Sequence, residues 1–404
     1  MLYLAYQAQS DFMNPAKMLA RGALATLGAR AMAGHPVDMR AASAAYEMVT
    51  RAGLSHERPS YGIDSVRDGN RDVPVTEEVV LNLPFGSLLR FRKDSETPQA
   101  KVLVVAPMSG HFATLLRNTV ATMLRDHDVY ITDWHNARDV SLEAGPFGYD
   151  DYVDTLIRFI ETLGDRTHVV SVCQPCVQVL TAAAVMAQAG SAFQPRSMTL
   201  MAGPVDTRVN PTAVNKLAMG KPIEWFRKNL IATVPSRYPG GGRQVYPGFV
   251  QLGAFLAMNM QRHINAHIDL FTHMATGEVE EAQKIKSFYD EYFAVLDLPA
   301  EFYLETVQWI FQEARLAART LTYRGETVDC RAIRKTALLT VEGERDDICA
   351  LGQTSAAHDL CSGLKPFRKR HHMQAGVGHY GVFSGRKWDG QIYPIVRNMI
   401  VANS

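Results

Sequence analysis

The chain has 404 residues, 47% hydrophobic and 21% charged, with a formal net charge of +1. These are globular values, enough chain for one large domain with an insertion or for two domains, and the near-zero charge argues against nucleic acid as a partner. Two short basic clusters, 331–335 and 368–372, read as solvated faces. The five cysteines, Cys173, Cys176, Cys330, Cys349 and Cys361, are odd in number and irregular in spacing. That is no disulfide framework, and a reducing, cytoplasmic compartment is expected. No metal-ligand spacing emerges from them with the 13 histidines, so neither metal nor cofactor is expected. No run approaches the ~18 apolar residues of an integral membrane span. No signal peptide is expected, since the apolar stretch 18–33 is broken by Arg21 and Arg30.

Residues 1–53 read as helical, with Leu2, Leu4, Phe12 and Met13 giving an amphipathic opening that continues past Pro15. Residues 54–75 are polar and read as a loop. The segments 79–83 and 88–92 alternate like an antiparallel pair. A buried strand at 102–106 runs into Pro107-Met108-Ser109-Gly110-His111 and a helix over 114–125. The next strand, 128–133, ends in Trp134-His135-Asn136, and 149–163 reads as a helix whose early Asp150 and Asp151 suit its N-terminus. Strands at 167–172 and 197–202 follow. Strands alternating with helices argue for a mostly parallel central sheet with helices on both faces.

That rhythm stops after Gly203-Pro204. Residues 204–330 are mainly helical and rich in aromatics, and sheet rhythm resumes with a strand over 336–341. A helix over 352–361, a strand over 371–374 and a helix over 386–401 close the chain. The expected organisation is an N-terminal helical segment (1–53), a core in two parts (54–203 and 331–404), and a helical cap (204–330) inserted after the sixth strand.

The stretch at 167–188 organises the rest. A β-branched, uncharged strand turns into a helical pattern, and Cys173 stands at the turn in Ser171-Val172-Cys173-Gln174-Pro175. A nucleophile at a sharp strand-to-helix turn is a nucleophile elbow. The helix start beyond it favours a thiolate and a developing oxyanion. The usual Gly-x-Ser-x-Gly glycines are absent, but Ser171 is small and Pro175 fits a first helical turn. Two other readings of Cys173 and Cys176 compete, as buried core thiols or as a CxxC redox pair.

The order of the remaining groups favours the nucleophile. Asp346 follows the strand after the insert, and His379 lies in the glycine-rich loop Gly376-Val377-Gly378-His379-Tyr380-Gly381 after the last strand. Nucleophile, acid, histidine is the chain order of the α/β-hydrolase triad, and each group sits at a strand's C-terminal end, where open α/β sheets place their sites. Asp347 adjoins Asp346; the first acid more naturally follows the strand, and the second can cap the next segment. His111, His371 and His372 are alternates to His379. Backbone N–H groups of Gln174 and Met108 are the oxyanion candidates. Ser109, Trp134, Asp347 and Tyr380 are substrate-pocket candidates.

With these residues in place the sequence resembles the intracellular polyhydroxyalkanoate (polyhydroxybutyrate) depolymerases. The likeness is carried by the Met-Leu-Tyr opening, Asp133-Trp134-His135-Asn136-Ala137-Arg138, the cysteine elbow, and Gly203-Pro204-Val205-Asp206-Thr207-Arg208-Val209-Asn210-Pro211. Val341-Glu342-Gly343-Glu344 through Asp347, and Gly378-His379-Tyr380-Gly381, complete it. Cys176 departs from the family's pattern. The resemblance implies an α/β-hydrolase fold and a Cys173–Asp346–His379 triad that cleaves esters of stored polymer at a granule surface, with homo-oligomer formation left open. The rivals are a polyester synthase, whose elbow keeps its glycines, a non-catalytic granule-associated protein on a hydrolase fold, and a thiol–disulfide enzyme using Cys173 and Cys176.

Overall fold

The computed structural model describes residues 2–32, 39–95, 98–258 and 260–404. Met1, residues 33–38 of the N-terminal segment and Ala33 of its apolar stretch lie outside the described residues.

Nine strands form one sheet: β1 (Ser65–Asp68), β2 (Arg71–Leu83), β3 (Gly86–Lys93), β4 (Lys101–Val105), β5 (Asp128–Trp134), β6 (Thr167–Val172), β7 (Ser197–Met201), β8 (Ala337–Gly343) and β9 (Lys369–Gln374). Their order is β1-β2-β3-β5-β4-β6-β7-β8-β9. The run from β5 to β9 is parallel throughout, and β1 to β3 extend it as antiparallel strands. The central strands explain why: β6, β7 and β8 are buried at every position, the uniform burial expected when helices cover both faces. Each fully buried Val, Leu or Met there contributes about 1.5–3 kcal/mol.

The helices follow the chemistry of their sequences. α1 (Leu2–Met32) and α2 (Met39–Arg51) precede the sheet, and α3 (Arg117–Met123) follows a 3-10 turn at Ala113–Leu116. α4 (Tyr149–Leu163) keeps Asp151 in its first turn, where Oδ2 accepts from Gly148 N–H at 2.8 Å. α5 (Cys176–Gln188) is buried on nearly every side, which its Val- and Ala-rich sequence permits. Between β7 and β8 lie α6 (Ala213–Met219), α7 (Ile223–Leu230), α8 (Gly248–Met258), α9 (Met260–Thr276), α10 (Val279–Tyr292) and α11 (Ala300–Glu305). A small sheet of Ala232–Thr233, Gln244–Tyr246 and Leu298–Pro299 sits among them.

Three expectations change. The 54–75 loop contains β1 and the start of β2, because Gly69 at φ +59° opens a tight turn between Asp68 and Arg71. The added strand makes the helical insertion follow the seventh strand rather than the sixth. The helix expected over 352–361 shortens to Ala357–Leu360. The backbone N–H groups of Gly352, Thr354 and Ser355 donate instead to the buried Glu342 carboxylate, at 2.8–3.1 Å.

One buried acid ties the two ends of this plan together. Asp297, wholly buried, accepts from the Tyr3 hydroxyl (2.7 Å) and the Gly248 N–H (2.9 Å). Its own N–H donates to Asn136 Oδ1 at 2.9 Å, and Ala137 N–H donates to its carbonyl at 3.1 Å. Burial pushes the Asp297 carboxyl up to about 6, against the lowering effect of the Gly248 and Tyr3 hydrogen bonds.

Candidate active site

The elbow forms where β6 runs out. Cys173 takes φ +66°, a left-handed conformation for a residue with a side chain, at a cost of about 1–3 kcal/mol that the surroundings must hold. Two hydrogen bonds do so: Cys173 N–H donates to Met201 O (2.8 Å), and Cys176 N–H donates to Cys173 O (3.2 Å). The Cys173 thiol is partly exposed, whereas the other four cysteines are buried. All five are unpaired.

The glycine missing from the elbow is supplied by the neighbouring strand. A Cβ on Gly203, just past β7, would stand 2.2 Å from Cys176 Cβ and 3.1 Å from Cys173 O. Only a bare backbone fits there, so Gly203 lets a glycine-free elbow close against the sheet. Cys176 lies beneath, donating its thiol toward the Ser171 and Met201 carbonyls at 3.6 Å each. Burial pushes its pKa up to about 12, the setting of an inert core thiol.

The histidine and acid come from the next two strand ends. His379 Nδ1 lies 2.8 Å from Asp346 Oδ2, and both residues are buried. Asp346 Oδ1 accepts from Ile348 N–H (2.9 Å) and Cys349 N–H (2.8 Å), so both carboxylate oxygens are fixed. Asp347 is exposed and turned to solvent. With Nδ1 occupied, Nε2 is the ring nitrogen left to exchange protons, and Cys173 is near enough for its charge to act on the ring. Burial alone would lower the imidazole's pKa; the charge of Cys173 and the hydrogen bonds to Asp346 and Cys173 outweigh it and hold it well above its ordinary value. The arrangement places a proton-accepting imidazole between a thiol and a carboxyl group.

Glu342 and Thr354 hold this acid loop to the elbow's neighbour. Beyond the Glu342 clamp, Gly203 N–H donates to Thr354 Oγ1 (2.8 Å), and that hydroxyl donates to Gly203 O (3.0 Å). Neither residue was singled out as functional from the sequence. The available signal was a glutamate inside an otherwise apolar, buried strand, which must be satisfied by local donors.

The remaining expected site residues divide. Gln174 and Met108 are 7% and 1% exposed, and their backbone N–H groups have no acceptor among the described residues. Tyr380 stands edge-on to His379, ring centroids 5.9 Å apart, and stays 40% exposed. Ser109 is half-buried on the same loop as Met108. Trp134 is not a pocket residue: it is 1% exposed, donates Nε1–H to Ala106 O at 2.8 Å and packs on Tyr152. Trp134 closes a strand that is buried from Val129 onward.

The alternate histidines have other partners. His111, buried and with its pKa lowered to about 4 by burial, meets Tyr292 O through Nε2 at 3.1 Å and stacks on Phe255. His371 pairs with Thr340 Oγ1 (2.9 Å) and His372 with Gln374 Oε1 (3.0 Å).

Residues 202–404 match the family described as PHB de-polymerase C-terminus. Among solved structures, the chain is similar to the 2-hydroxy-6-oxo-6-phenylhexa-2,4-dienoate hydrolase of Rhodococcus sp. strain RHA1, at 11% identity and TM-score 0.42 over 82% of this chain and 99% of that one. It is similar to the monoacylglycerol lipase of Paleococcus ferrophilus, at 10% identity and TM-score 0.41 over 75% of this chain and 95% of that one. A carboxylesterase structure from the Thaumarchaeon Nitrososphaera gargenis matches at 10% identity and TM-score 0.41, over 84% of this chain and 100% of that one. No curated protein matches. The family match spans half of the chain and takes in the acid, the histidine and Gly203, on a mostly parallel sheet with an elbow at its centre; the chain belongs to the PHB de-polymerase family, an ester hydrolase of the α/β-hydrolase fold.

Proposed function

We propose that the chain depolymerises stored poly(3-hydroxybutyrate)-type polyester at the granule surface, with Cys173 as nucleophile, His379 as acid–base and Asp346 as its orienting carboxylate. The observation that carries this reading is the imidazole of His379 fixed by Asp346 at 2.8 Å at the C-terminal end of the sheet, near enough to Cys173 to feel its charge. The family supports a polyester substrate. The five unpaired cysteines support a reducing compartment. Among the described residues no helix is long and apolar enough to cross a membrane.

The chemistry runs in two halves. The Cys173 thiolate attacks the ester carbonyl carbon while the imidazolium keeps the thiol's proton. The tetrahedral oxyanion is received by the N–H groups of Gln174 and Met108. The C–O bond then breaks, His379 gives its proton to the departing alkoxide, and an acyl-cysteine thioester remains. In the second half His379 takes a proton from water, hydroxide adds to the thioester, and the thiolate leaves as the acid forms. Asp346 keeps Nδ1–H pointed at itself throughout, so Nε2 is the nitrogen that exchanges protons. Segment 204–330 is the cap in this reading, supported by the contacts of His111 with Phe255 and Tyr292.

The test is acid release from native amorphous polyhydroxybutyrate granules by the wild type beside Cys173→Ala. The expected loss in the variant is roughly 10³-fold or more. Binding without release in either protein would favour a granule-coating role. Equal release in both would remove Cys173 from the reaction, and release of CoA from hydroxyacyl-CoA in place of acid from polymer would favour a synthase.

A further inference from the structure

The two N-terminal helices help to form a cavity that none of Cys173, Asp346 and His379 lines. Its walls come from α1, the end of α2, the segment that follows it, α9 and α10, with Arg138 and Tyr238 among them. Its volume is about 1100 Å³, at the upper end of the roughly 300–1,000 Å³ usual for small-molecule sites.

The charges around this cavity do not cancel. Lys17, Arg21, Arg51 and Arg138 line it, against Glu57 and Asp290. Arg51 and Asp290 neutralise each other in an ion pair. Lys17 and Arg21 have no hydrogen bond or ion pair among the described residues. The Lys17 ammonium lies against bare backbone: a Cβ on Gly53, also in the wall, would stand 2.7 Å from Nζ. Arg138 has one ion-pair contact among the described residues, Asp139 Oδ1 at 3.7 Å, and its buried Nε has no hydrogen-bond partner there. The guanidinium carbon lies 4.4 Å from the Tyr238 ring centroid, so the group is held by a ring that leaves its charge in place. His56, bonded to the Tyr6 hydroxyl at 2.8 Å, feels that charge: burial and the Arg138 guanidinium lower its pKa to about 3. Three cations, Lys17, Arg21 and Arg138, thus face one cavity with the exposed Glu57 as the remaining acid in its wall.

We propose that this cavity binds a small organic oxyanion of at least two negative charges, carried on phosphate or carboxylate groups, at a site separate from the reaction at Cys173. Gathering like charges in a concave wall is unfavourable until an opposite charge joins them. The planar Arg138 fork suits two oxygens of one phosphate or carboxylate, and Lys17 adds a compact charge that need not be aligned. A singly charged acid would leave two of the three cations unmatched. A neutral polyester segment would leave all three so, which argues against the polymer as occupant. The volume leaves room for a carbon skeleton behind the charged groups, where Tyr238 and Phe293 offer flat faces in the wall.

The test is calorimetric titration of the full chain with ATP, pyrophosphate and citrate, at about 0.15 M salt so that weak surface binding is screened. At least one of the three should bind at one anion per chain. Lys17→Ala with Arg21→Ala together, and Arg138→Gln alone, should each weaken that binding by about tenfold or more. Lys335→Ala with Arg370→Ala, in the basic clusters elsewhere on the chain, should leave it within about twofold, as changes away from a site usually do. Arg21→Ala alone, at an exposed position without a bond to lose, should weaken binding in the same direction and reads the result if the other variants misfold. Binding of ATP and pyrophosphate without citrate assigns the site to phosphates, and binding of citrate alone assigns it to carboxylates. No heat from any of the three at millimolar concentration would overturn the proposal. So would binding that Lys17→Ala with Arg21→Ala and Arg138→Gln leave unchanged, or that Lys335→Ala with Arg370→Ala weakens equally. None of these outcomes depends on the reaction at Cys173, since binding is read directly.

Discussion

Replacing Asp346 by Asn changes charge and little else. An Asn oxygen can still accept from Ile348 and Cys349 N–H, as Oδ1 does now at 2.9 and 2.8 Å. The loop is therefore kept, and the loss falls on the second oxygen, 2.8 Å from His379 Nδ1. Two unit charges with centres about 4 Å apart interact by about 4 kcal/mol at an effective dielectric constant near 20. If that interaction is withdrawn from the imidazolium formed during reaction, the rate falls by up to about 10³-fold. An Asn amide facing Nδ1 also favours the wrong tautomer. The fall should appear in kcat with KM little changed, on both granules and a soluble ester. The pH profile carries the sign: Asp346 helps hold the His379 pKa up, so the basic limb of the Asn variant should move to lower pH. Asp347→Asn, at an exposed position, should stay within about twofold of wild type, as surface changes away from the chemistry usually do. An Asp346→Asn enzyme within threefold of wild type, or an Asp347→Asn enzyme as impaired as it, would refute the assignment.

Two further outcomes follow from buried groups. Asp297 is raised from 3.8 to about 6 by burial, so the folded state holds its proton more tightly than the unfolded one. Stability should fall as pH rises from about 4 through about 6, by about 3 kcal/mol. Asp297→Asn removes that titration, so denaturant unfolding of the variant should gain on wild type by this amount between pH 4 and 7; a pH-independent difference would contradict it. Cys176→Ser should retain esterase activity while losing about 1–3 kcal/mol of stability by placing a hydroxyl in a thiol's apolar site. Loss of activity with unchanged stability would return Cys176 to the chemistry.

Local pattern carried much of the fold. β6 and α4 have the expected limits because each is bounded by unmistakable chemistry, a β-branched run in one case and an Asp-rich first turn in the other. The order nucleophile, acid, histidine was readable because each group follows a strand, and the sheet brings strand ends together. What local pattern could not carry was any choice made by a distant partner. Asp346 meets His379 across 33 residues, and only the fold shows that Asp347 does not. Glu342 shortened the expected 352–361 helix by taking its first amides, a competition visible only once β8 is placed. Trp134, at the end of a strand, fits a pocket or the core equally well by sequence, and only Tyr152 and Ala106 seen against it show which it packs on. Gly203 stood in plain view in the sequence, yet its meaning depends on Cys176, twenty-seven positions earlier, lying 2.2 Å from where its Cβ would be.

The bond between Tyr3 and Asp297 spans 294 positions. During synthesis on the ribosome the tyrosine emerges long before its acceptor exists, and at about 5–20 residues per second the interval is tens of seconds. Throughout it, α1 has no Asp297 to hold, and its exposed Leu4, Phe12 and Leu19 stay available to other apolar surfaces. The nascent chain therefore passes through a stage in which α1 waits on the loop that carries Asp297. A chaperone that retains α1 until the insertion is complete would act at that stage, and ribosome-bound chains stopped before and after residue 297 should differ sharply in protease protection of α1.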